Sequence, residues 1–295
     1  MDSGSGIDHL VLPVADLDDA QRRYRALGFT VAPVGQHPFG TANCCVYFED
    51  GTFLEPLAIA DENAARTAIA DGNAFVQGDA NYRAHSGGEG LAGIVLATND
   101  AKKDDARFRA AHITGGSILD FSRAVVDKAG RTGTASFRLA FARDPLSPAP
   151  FFFSCQRVKA PKVDRAALQH HRNAVTGLRG VILLAQQPHA HRGFLEAFFR
   201  TTALRESRQC LVFQLPNAEI TVATPEFMAE RWGIELAQSR VEGLDPVGVV
   251  FAATDIAALG SLFNADSIAY LARGNALVAP PATGQGATFI FEASS

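Results

Sequence analysis

The stretch Gly6-Ile7-Asp8-His9-Leu10-Val11-Leu12-Pro13-Val14 opens a pattern of elements that the chain repeats. It is short, apolar and rich in β-branched residues, which is typical of a strand. Similar openings occur at residues 90–98, 177–185 and 243–252. Each is followed by a helix-start signal, a helical pattern and a group of strands. An internal repeat of this kind constrains the fold more than any single motif does.

The first copy shows the order of its elements most clearly. Asp16 stands where a helix N-cap belongs and Gly28 where a C-cap belongs, with apolar residues at helical spacing between them. We expect a short strand over residues 29–33, and then two strands that the turn Asp50-Gly51 joins as a hairpin. The unit is therefore βαβββ. Four such units predict an α+β fold.

Two connectors interrupt the repeat and suggest how the chain divides. Residues 61–90 read as an alanine-rich helix followed by a polar, glycine-rich loop. Residues 158–176 are rich in basic side chains and read as an inter-domain linker or a surface helix. A division near residue 170 leaves two units on each side. We therefore predict a first domain over residues 1–170 and a second, degenerate domain over 171–295.

Composition limits the classes of function. The chain has 295 residues, 47% of them apolar and 20% charged, which is a globular composition. A net charge of −4 without basic blocks argues against nucleic acid as a partner, and no apolar run approaches the roughly 20 residues that cross a bilayer. The start lacks a secretory pattern and the four cysteines form no disulfide framework. We expect a cytoplasmic protein without a membrane partner.

The first unit resembles a known superfamily. The opening Ile7-Asp8-His9-Leu10-Val11-Leu12-Pro13-Val14, the step Leu27-Gly28-Phe29, the pair Ala42-Asn43 and the run Gly51-Thr52-Phe53-Leu54-Glu55 are similar to those of the vicinal-oxygen-chelate superfamily, and within it to glyoxalase-like proteins. The resemblance implies that units pair into glyoxalase-like domains whose sheets curl around a cleft. In that superfamily such a cleft holds a divalent metal.

His9 and Glu55 are the residues most suited to metal chemistry. Side chains of one parity share a face of a strand, which places His9 with Ile7 and Val11, and Glu55 with Phe53 and Leu57. A buried carboxylate needs a cation or hydrogen-bond donors, and an imidazole with a carboxylate suits Zn, Mn, Fe or Ni. The resemblance implies that both are metal ligands and that Glu55 also acts as a base. The alternative is that Glu55 only accepts a hydrogen bond inside the sheet.

The other units offer few equivalent ligands. The first-strand equivalents of His9 are glycines, and the last-strand equivalents of Glu55 fall near Ser154, Thr221 or Val222, and Phe291 or Glu292. A catalytic metal usually has at least three protein ligands, so a further histidine would have to reach in. Candidates are His37 in the loop before the hairpin and His85 in the glycine-rich connector. The pair His189 and His191 has metal-like spacing but no carboxylate in its own unit.

The remaining candidates concern ligand binding. We expect four residues to contact a small molecule in the first cleft: His37, Asn43, Arg123 and Arg138. An arginine there would orient a carboxylate or phosphate through its planar fork.

The leading hypothesis is a glyoxalase-like protein that binds a small oxygenated metabolite, with a divalent metal held by His9 and Glu55. If it is an enzyme, the resemblance implies a metal-dependent lyase, isomerase or dioxygenase. The alternatives are a metal-free binding protein of the drug-sequestering type and a structural or interaction module. Formation of a homodimer stays open.

Overall fold

The computed structural model describes residues 5–126, 132–160, 165–234 and 242–294. The elements of the first half are β1 (Ile7–Pro13), α1 (Leu17–Ala26), β2 (Gly35–Gln36), β3 (Thr41–Asn43), β4 (Val46–Tyr47), β5 (Phe53–Ile59), α2 (Glu62–Ala70), α3 (Ala74–Ser86), β6 (Gly93–Thr98), α4 (Ala101–Ala110), β7 (Leu119–Val126), β8 (Thr132–Ala142) and β9 (Phe151–Lys159).

The second half repeats this order with shorter edge strands. Its elements are β10 (Val175–Leu184), α5 (Arg192–Phe199), β11 (Arg205–Ser207), β12 (Cys210–Gln214), β13 (Glu219–Ala223), α6 (Pro225–Trp232), β14 (Asp245–Ala253), α7 (Ile256–Ala265), β15 (Leu271–Arg273), β16 (Ala276–Ala279) and β17 (Thr288–Ala293), and single 3₁₀ turns lie at Ala166–Leu168 and Pro188–His191. No helix among the described residues combines the length and the apolar character that crossing a bilayer requires.

Two mixed sheets organise these elements. The first has nine strands in the order β2-β3-β5-β1-β6-β9-β8-β7, with β4 paired to β5, and the second has eight in the order β11-β12-β13-β10-β14-β17-β16-β15. In each sheet the opening strands of two units run antiparallel at the centre, and each is parallel to the last strand of its own unit. The α+β class and the pairing of the units are therefore confirmed.

The two sheets share one apolar core. A continuous cluster of buried residues includes Leu10 and Phe152 of the first sheet together with Phe213 and Phe251 of the second. Ring contacts cross between the halves, since Phe29 lies 5.4 Å from Phe251 between ring centroids. Smaller apolar clusters cover the opposite face of each sheet. Each sheet thus has one face buried in the common core and one face that can line a cleft.

Local structure departs from the sequence predictions in three places. Residues 29–33 form no strand, because their backbone amides do not pair along one neighbouring strand. The Thr30 amide donates to the His171 ring, and the Ala32 amide donates to the Cys45 carbonyl. The predicted strand 42–49 is broken into β3 and β4. The predicted glycine-rich loop is largely the helix α3. Asn73 caps this helix by accepting hydrogen bonds from two backbone amides, and apolar residues of the helix are buried at helical spacing.

A side chain from the second half is hydrogen-bonded to the first residue of β1. The Oδ1 atom of Asn217 accepts a hydrogen bond from the Ile7 amide at 2.9 Å, and its Nδ2 atom donates to the Ile7 carbonyl at 2.8 Å. Replacing Asn217 with alanine leaves both buried backbone groups short of a partner, so we expect the free energy of unfolding to fall by about 1–3 kcal/mol. Urea denaturation measures the change. The control is Asn264→Ala, at an exposed position on α7, and equal effects in the two variants would contradict the prediction.

Candidate functional site

A β-bulge at the start of β1 builds the centre of the site. The pairing of β1 with β6 shifts register between Ile7 and His9, so Ile7 turns into the shared core while His9 stays on the cleft face. The expectation that Ile7 and His9 share a face is therefore wrong. The bulge also brings Asp8 to the cleft beside His9, where its Oδ2 atom lies 2.7 Å from His9 Nδ1. Bulges often re-aim side chains beside functional sites.

His9 and Glu55 meet at the floor of this cleft. β1 and β5 are parallel neighbours in a register that pairs Val11 with Glu55. His9 Nε2 lies 3.3 Å from Glu55 Oε2, and both residues are 5% exposed. The His9 ring also stacks on Phe53, with ring centroids 4.4 Å apart. Parallel pairing of β1 and β5 is what brings residues 46 positions apart into contact.

Further polar groups complete one continuous network. Asn43 donates from Nδ2 to Glu55 Oε1 at 2.6 Å, and His37 Nε2 lies 3.6 Å from the same oxygen. The other ring nitrogen of His37 is 2.8 Å from Thr41 Oγ1. At the opposite end, Arg157 pairs with Asp8 Oδ1 at 2.7 Å. The network therefore runs from a half-exposed arginine, through two buried carboxylates, to a buried histidine.

Burial and pairing set the charges of the network. Burial alone would lower the pKa of His9, but hydrogen bonds to Asp8 and Glu55 outweigh it and raise that pKa above its usual 6.5. Burial alone would raise the pKa of Glu55, whereas the hydrogen bond and charge of His9 bring it down to about 2. Burial lowers the pKa of His37 to about 4, so this ring is neutral near pH 7. The network thus favours the charged forms of His9 and Glu55 beside the uncharged imidazole of His37.

Aromatic side chains enclose the polar floor. The free space measures about 50 Å³. The apolar side chains of its wall are Phe39, Phe53, Phe75, Phe121, Phe137, Leu139 and Phe153. Phe75 comes from α3, so the segment that the sequence pattern predicts as a loop is a helix that forms part of the wall. The space exceeds the roughly 10–15 Å³ that a water molecule needs but is well below the roughly 300–1,000 Å³ of sites for drug-sized ligands, so it admits a metal ion and a small polar group inside an apolar shell.

The structure brings most of the predicted site residues together but not all. His9, His37, Glu55 and Arg123 line the cavity, and Asn43 binds Glu55 from beside it. Arg138 lies between the cavity residues Phe137 and Leu139 on β8, and it forms a bidentate ion pair with Asp120. Because neighbouring residues of a strand face opposite sides, Arg138 is directed away from the cavity.

The remaining histidine candidates also lie elsewhere. His85 is exposed on α3, within hydrogen-bond distance of the Asn81 carbonyl. His189 is exposed beside the Ser207 carbonyl, and His191 is buried against Asp144 at 2.6 Å. These three therefore do not supply a ligand to the first cleft. Asp8 and Arg157 are site residues that were not predicted from the sequence. Arg157 has the same parity on β9 as Phe153 and Cys155, and this spacing could have placed it on the cavity face.

Strand register identifies what replaces the pair in the other units. His9 pairs with Phe53, and Glu55 lies two residues further along β5 on the same face. The residues at the corresponding positions of the other last strands are Phe153 on β9, Thr221 on β13 and Ile290 on β17. None of these is an ionisable ligand. Within the described ranges, no group of three or more His, Cys, Asp or Glu side chains stands ready to coordinate a metal. At these register positions, the first unit alone carries a histidine–carboxylate pair.

The pair itself fits two ligands of one divalent ion. Ligands about 2.1 Å from a metal stand roughly 3.0–3.4 Å from each other in octahedral or tetrahedral geometry, and the His9–Glu55 separation of 3.3 Å matches this spacing. Asp8 holds the second nitrogen of His9, as an outer carboxylate commonly does for a metal-bound histidine. His37 Nε2 is the nearest further nitrogen donor to Glu55. The chemistry of the donor set thus suits a metal, although a third ligand is not in place.

Comparison with solved structures shows which fold this is. A hypothetical protein from Staphylococcus aureus has 14% identity and a TM-score of 0.65, with 98% of this chain and 99% of that chain covered. A mutant 4-hydroxymandelate synthase from Streptomyces coelicolor has 11% identity and a TM-score of 0.60, over 99% and 94%. The Mn(II)-bound glyoxalase from Novosphingobium aromaticivorans has 10% identity and a TM-score of 0.54, over 99% and 82%. At such identities these likenesses establish the fold alone.

Comparison with protein families goes further. No curated protein matches the sequence. A family model described as a glyoxalase-like domain matches residues 7–199, which is more than half of the 295 residues. The matched range begins at β1 and includes the whole of the site around His9 and Glu55. The expected vicinal-oxygen-chelate relationship is confirmed, and the chain belongs to the glyoxalase-like domain family.

Proposed function

We propose that this protein binds a small oxygenated metabolite in the cavity of the first sheet, with a divalent metal held by His9 and Glu55. The observation that carries the proposal is the 3.3 Å approach of His9 Nε2 to Glu55 Oε2 on the floor of an aromatic cavity. His37 is the neutral nitrogen closest to this pair. The Mn(II) in the glyoxalase of similar fold supports Mn, with Zn, Fe and Ni as alternatives.

Each residue has a part that follows from its surroundings. When bound, the metal supplies a Lewis acid that polarises oxygen atoms of the metabolite. Asn43 donates to one oxygen of Glu55 and leaves the other beside His9 Nε2, which favours Glu55 as a ligand over Glu55 as a base. Asp8 fixes the orientation of the His9 ring. Arg123 lines the cavity and offers a guanidinium to an anionic group of the metabolite. This assignment favours a metal-dependent lyase, isomerase or dioxygenase.

A metal-free binding protein is the second candidate, and one observation favours it. The charges of the network already balance one another, because Arg157 pairs with Asp8 while His9 pairs with both carboxylates. Buried charges that are paired and hydrogen-bonded need no further cation. In that case the cavity binds its metabolite through the His9–Glu55 pair and the aromatic wall.

Metal titration separates the two candidates. Protein stripped with a chelator is titrated with Mn²⁺ and Zn²⁺, and the melting temperature is followed. We expect a rise that saturates near one equivalent, since an ion that binds only the folded state stabilises it. His9→Ala and Glu55→Gln should each remove the rise, and Glu62→Gln at an exposed site on α2 should keep it. Affinity should increase with pH, because the metal must displace the proton on His9.

Each outcome favours one candidate. A rise that persists in both His9→Ala and Glu55→Gln would place the metal elsewhere and contradict the proposal. No rise with any of Mn²⁺, Zn²⁺, Fe²⁺ or Ni²⁺ would leave the metal-free candidate.

A further inference from the structure

The second sheet carries an open cleft on the face that corresponds to the first cavity. The cleft measures about 700 Å³, against about 50 Å³ in the first sheet. Ligand sites for small organic molecules commonly measure about 300–1,000 Å³. The floor contains Gly180 on β10 and Thr221 on β13, which hold the register positions of His9 and Glu55. The replacement of imidazole and carboxylate by smaller side chains therefore leaves space in the second sheet.

The floor of this cleft is apolar and its rim is basic. Ile182 and Val250 lie on the floor and belong to the apolar cluster of that face. Three arginines line the rim, and two of them are paired: Arg179 with Glu292 at 3.3 Å, and Arg205 with Glu219. The third, Arg231, is exposed and has no carboxylate partner within the parts of the chain that the structure describes. With three arginines and two glutamates, the side chains that line the cleft carry a net charge of +1, on a chain whose net charge is −4.

Arg231 and Trp232 form a composite surface at one end of the cleft. Both belong to α6, and the Arg231 guanidinium lies 5.2 Å from the centroid of the Trp232 ring. A guanidinium over an aromatic ring keeps its edge available for hydrogen bonds to a planar anion. Trp232 is 6% exposed and also lines the cleft, so its ring closes one end of the apolar floor.

We propose that this second cleft binds a small aromatic carboxylate. The carboxylate pairs with Arg231, and the flat apolar body lies against Ile182, Val250 and the edge of Trp232. One negative charge complements the excess of one positive charge in the cleft. A bidentate pairing with arginine also gives orientation, which a lysine would not provide. This site uses no residue of the first cavity and does not depend on the metal.

The chain contains its own reporter for this cleft. Trp232 is the single tryptophan of the sequence, so intrinsic tryptophan fluorescence reports this position alone. Benzoate is titrated against the protein by isothermal titration calorimetry, and fluorescence is read in parallel. We expect saturable binding with a dissociation constant below about 10 mM, and a fluorescence change that follows the same curve. Benzamide, the neutral analogue, should bind at least about tenfold more weakly, because it lacks the charge that Arg231 pairs with.

Variants assign the binding to Arg231. Arg231→Gln should weaken benzoate binding by about tenfold or more, and Arg231→Lys should recover part of the affinity because it keeps the charge but loses the fork. Arg66→Gln, at an exposed position on α2, should leave the affinity unchanged. The proposal is overturned by the absence of saturable binding, by affinity unchanged in Arg231→Gln, or by equal binding of benzamide.

Discussion

Replacing His9 with alanine should lower the free energy of unfolding of the metal-free protein by about 3–5 kcal/mol, the range found when one partner of a buried ion pair is removed. Glu55 is 5% exposed, and His9 supplies the positive charge 3.3 Å away. Without His9, the Asn43 amide is the donor that remains within hydrogen-bond distance of this carboxylate among the residues that the structure describes. Chemical denaturation in the presence of a chelator measures the loss.

The double variant His9→Ala, Glu55→Gln tests the cause of that loss. Removing the charge of Glu55 should recover about 1–3 kcal/mol relative to His9→Ala, because the buried carboxylate no longer lacks a cation. His85→Ala is the control, since this histidine is exposed on α3 and should change stability little. If the effects of the two substitutions simply add, the pair has no coupling energy and the electrostatic account of the site is wrong.

The protein should lose stability between about pH 6.5 and pH 4 because of His171. The Nδ1 atom of this ring accepts a hydrogen bond from the Thr30 amide at 3.0 Å, and Nε2 donates to the Tyr47 carbonyl at 2.9 Å. Only the neutral ring can do both. Burial lowers the pKa of His171 to about 4, so the folded state resists a proton that the unfolded state accepts near pH 6.5.

The sign of this effect follows from the lowered pKa. Above pH 6.5 neither state is protonated at this site and the full stability is present. As the pH falls from 6.5 to 4, the unfolded state gains the proton first, which costs up to about 3 kcal/mol of stability. The free energy of unfolding, measured across this range, should be flatter in His171→Gln than in the wild type. His170→Gln is the matched control, since the His170 side chain is 88% exposed, and equal profiles in all three proteins would contradict the prediction.

Much of the fold and the centre of the site could be predicted from the sequence. The repeated openings indicated four units. Side-chain parity assigned His9 and Glu55 each to a face of its own strand, and the pairing of β1 with β5 makes these the same face of the sheet. Parity failed at Ile7 because the bulge in β1 depends on pairing with β6, which is distant in sequence. The same bulge hid Asp8, since perfect alternation would direct it into the core.

The cavity wall was harder to predict because helix α3 closes it. The connector of residues 61–90 is polar and contains several glycines, so its composition is typical of a loop. The signal that could have identified the helix is the spacing of Phe75, Val76, Asp79 and Tyr82, all of which are buried. Arg138 could have been distinguished from Arg123 in a similar way, because it lies between two apolar residues that line the cavity. The division of the chain near residue 170 stays a prediction.

The most direct test of the metal site is a crystal structure of the protein soaked with Mn²⁺, with anomalous diffraction recorded. We expect one strong anomalous peak between His9 Nε2 and a Glu55 carboxylate oxygen, about 2.0–2.3 Å from each. The His9→Ala crystal, treated in the same way, should lack the peak. A wild-type map without a peak there, or a peak bound by neither residue, would contradict the proposed metal site.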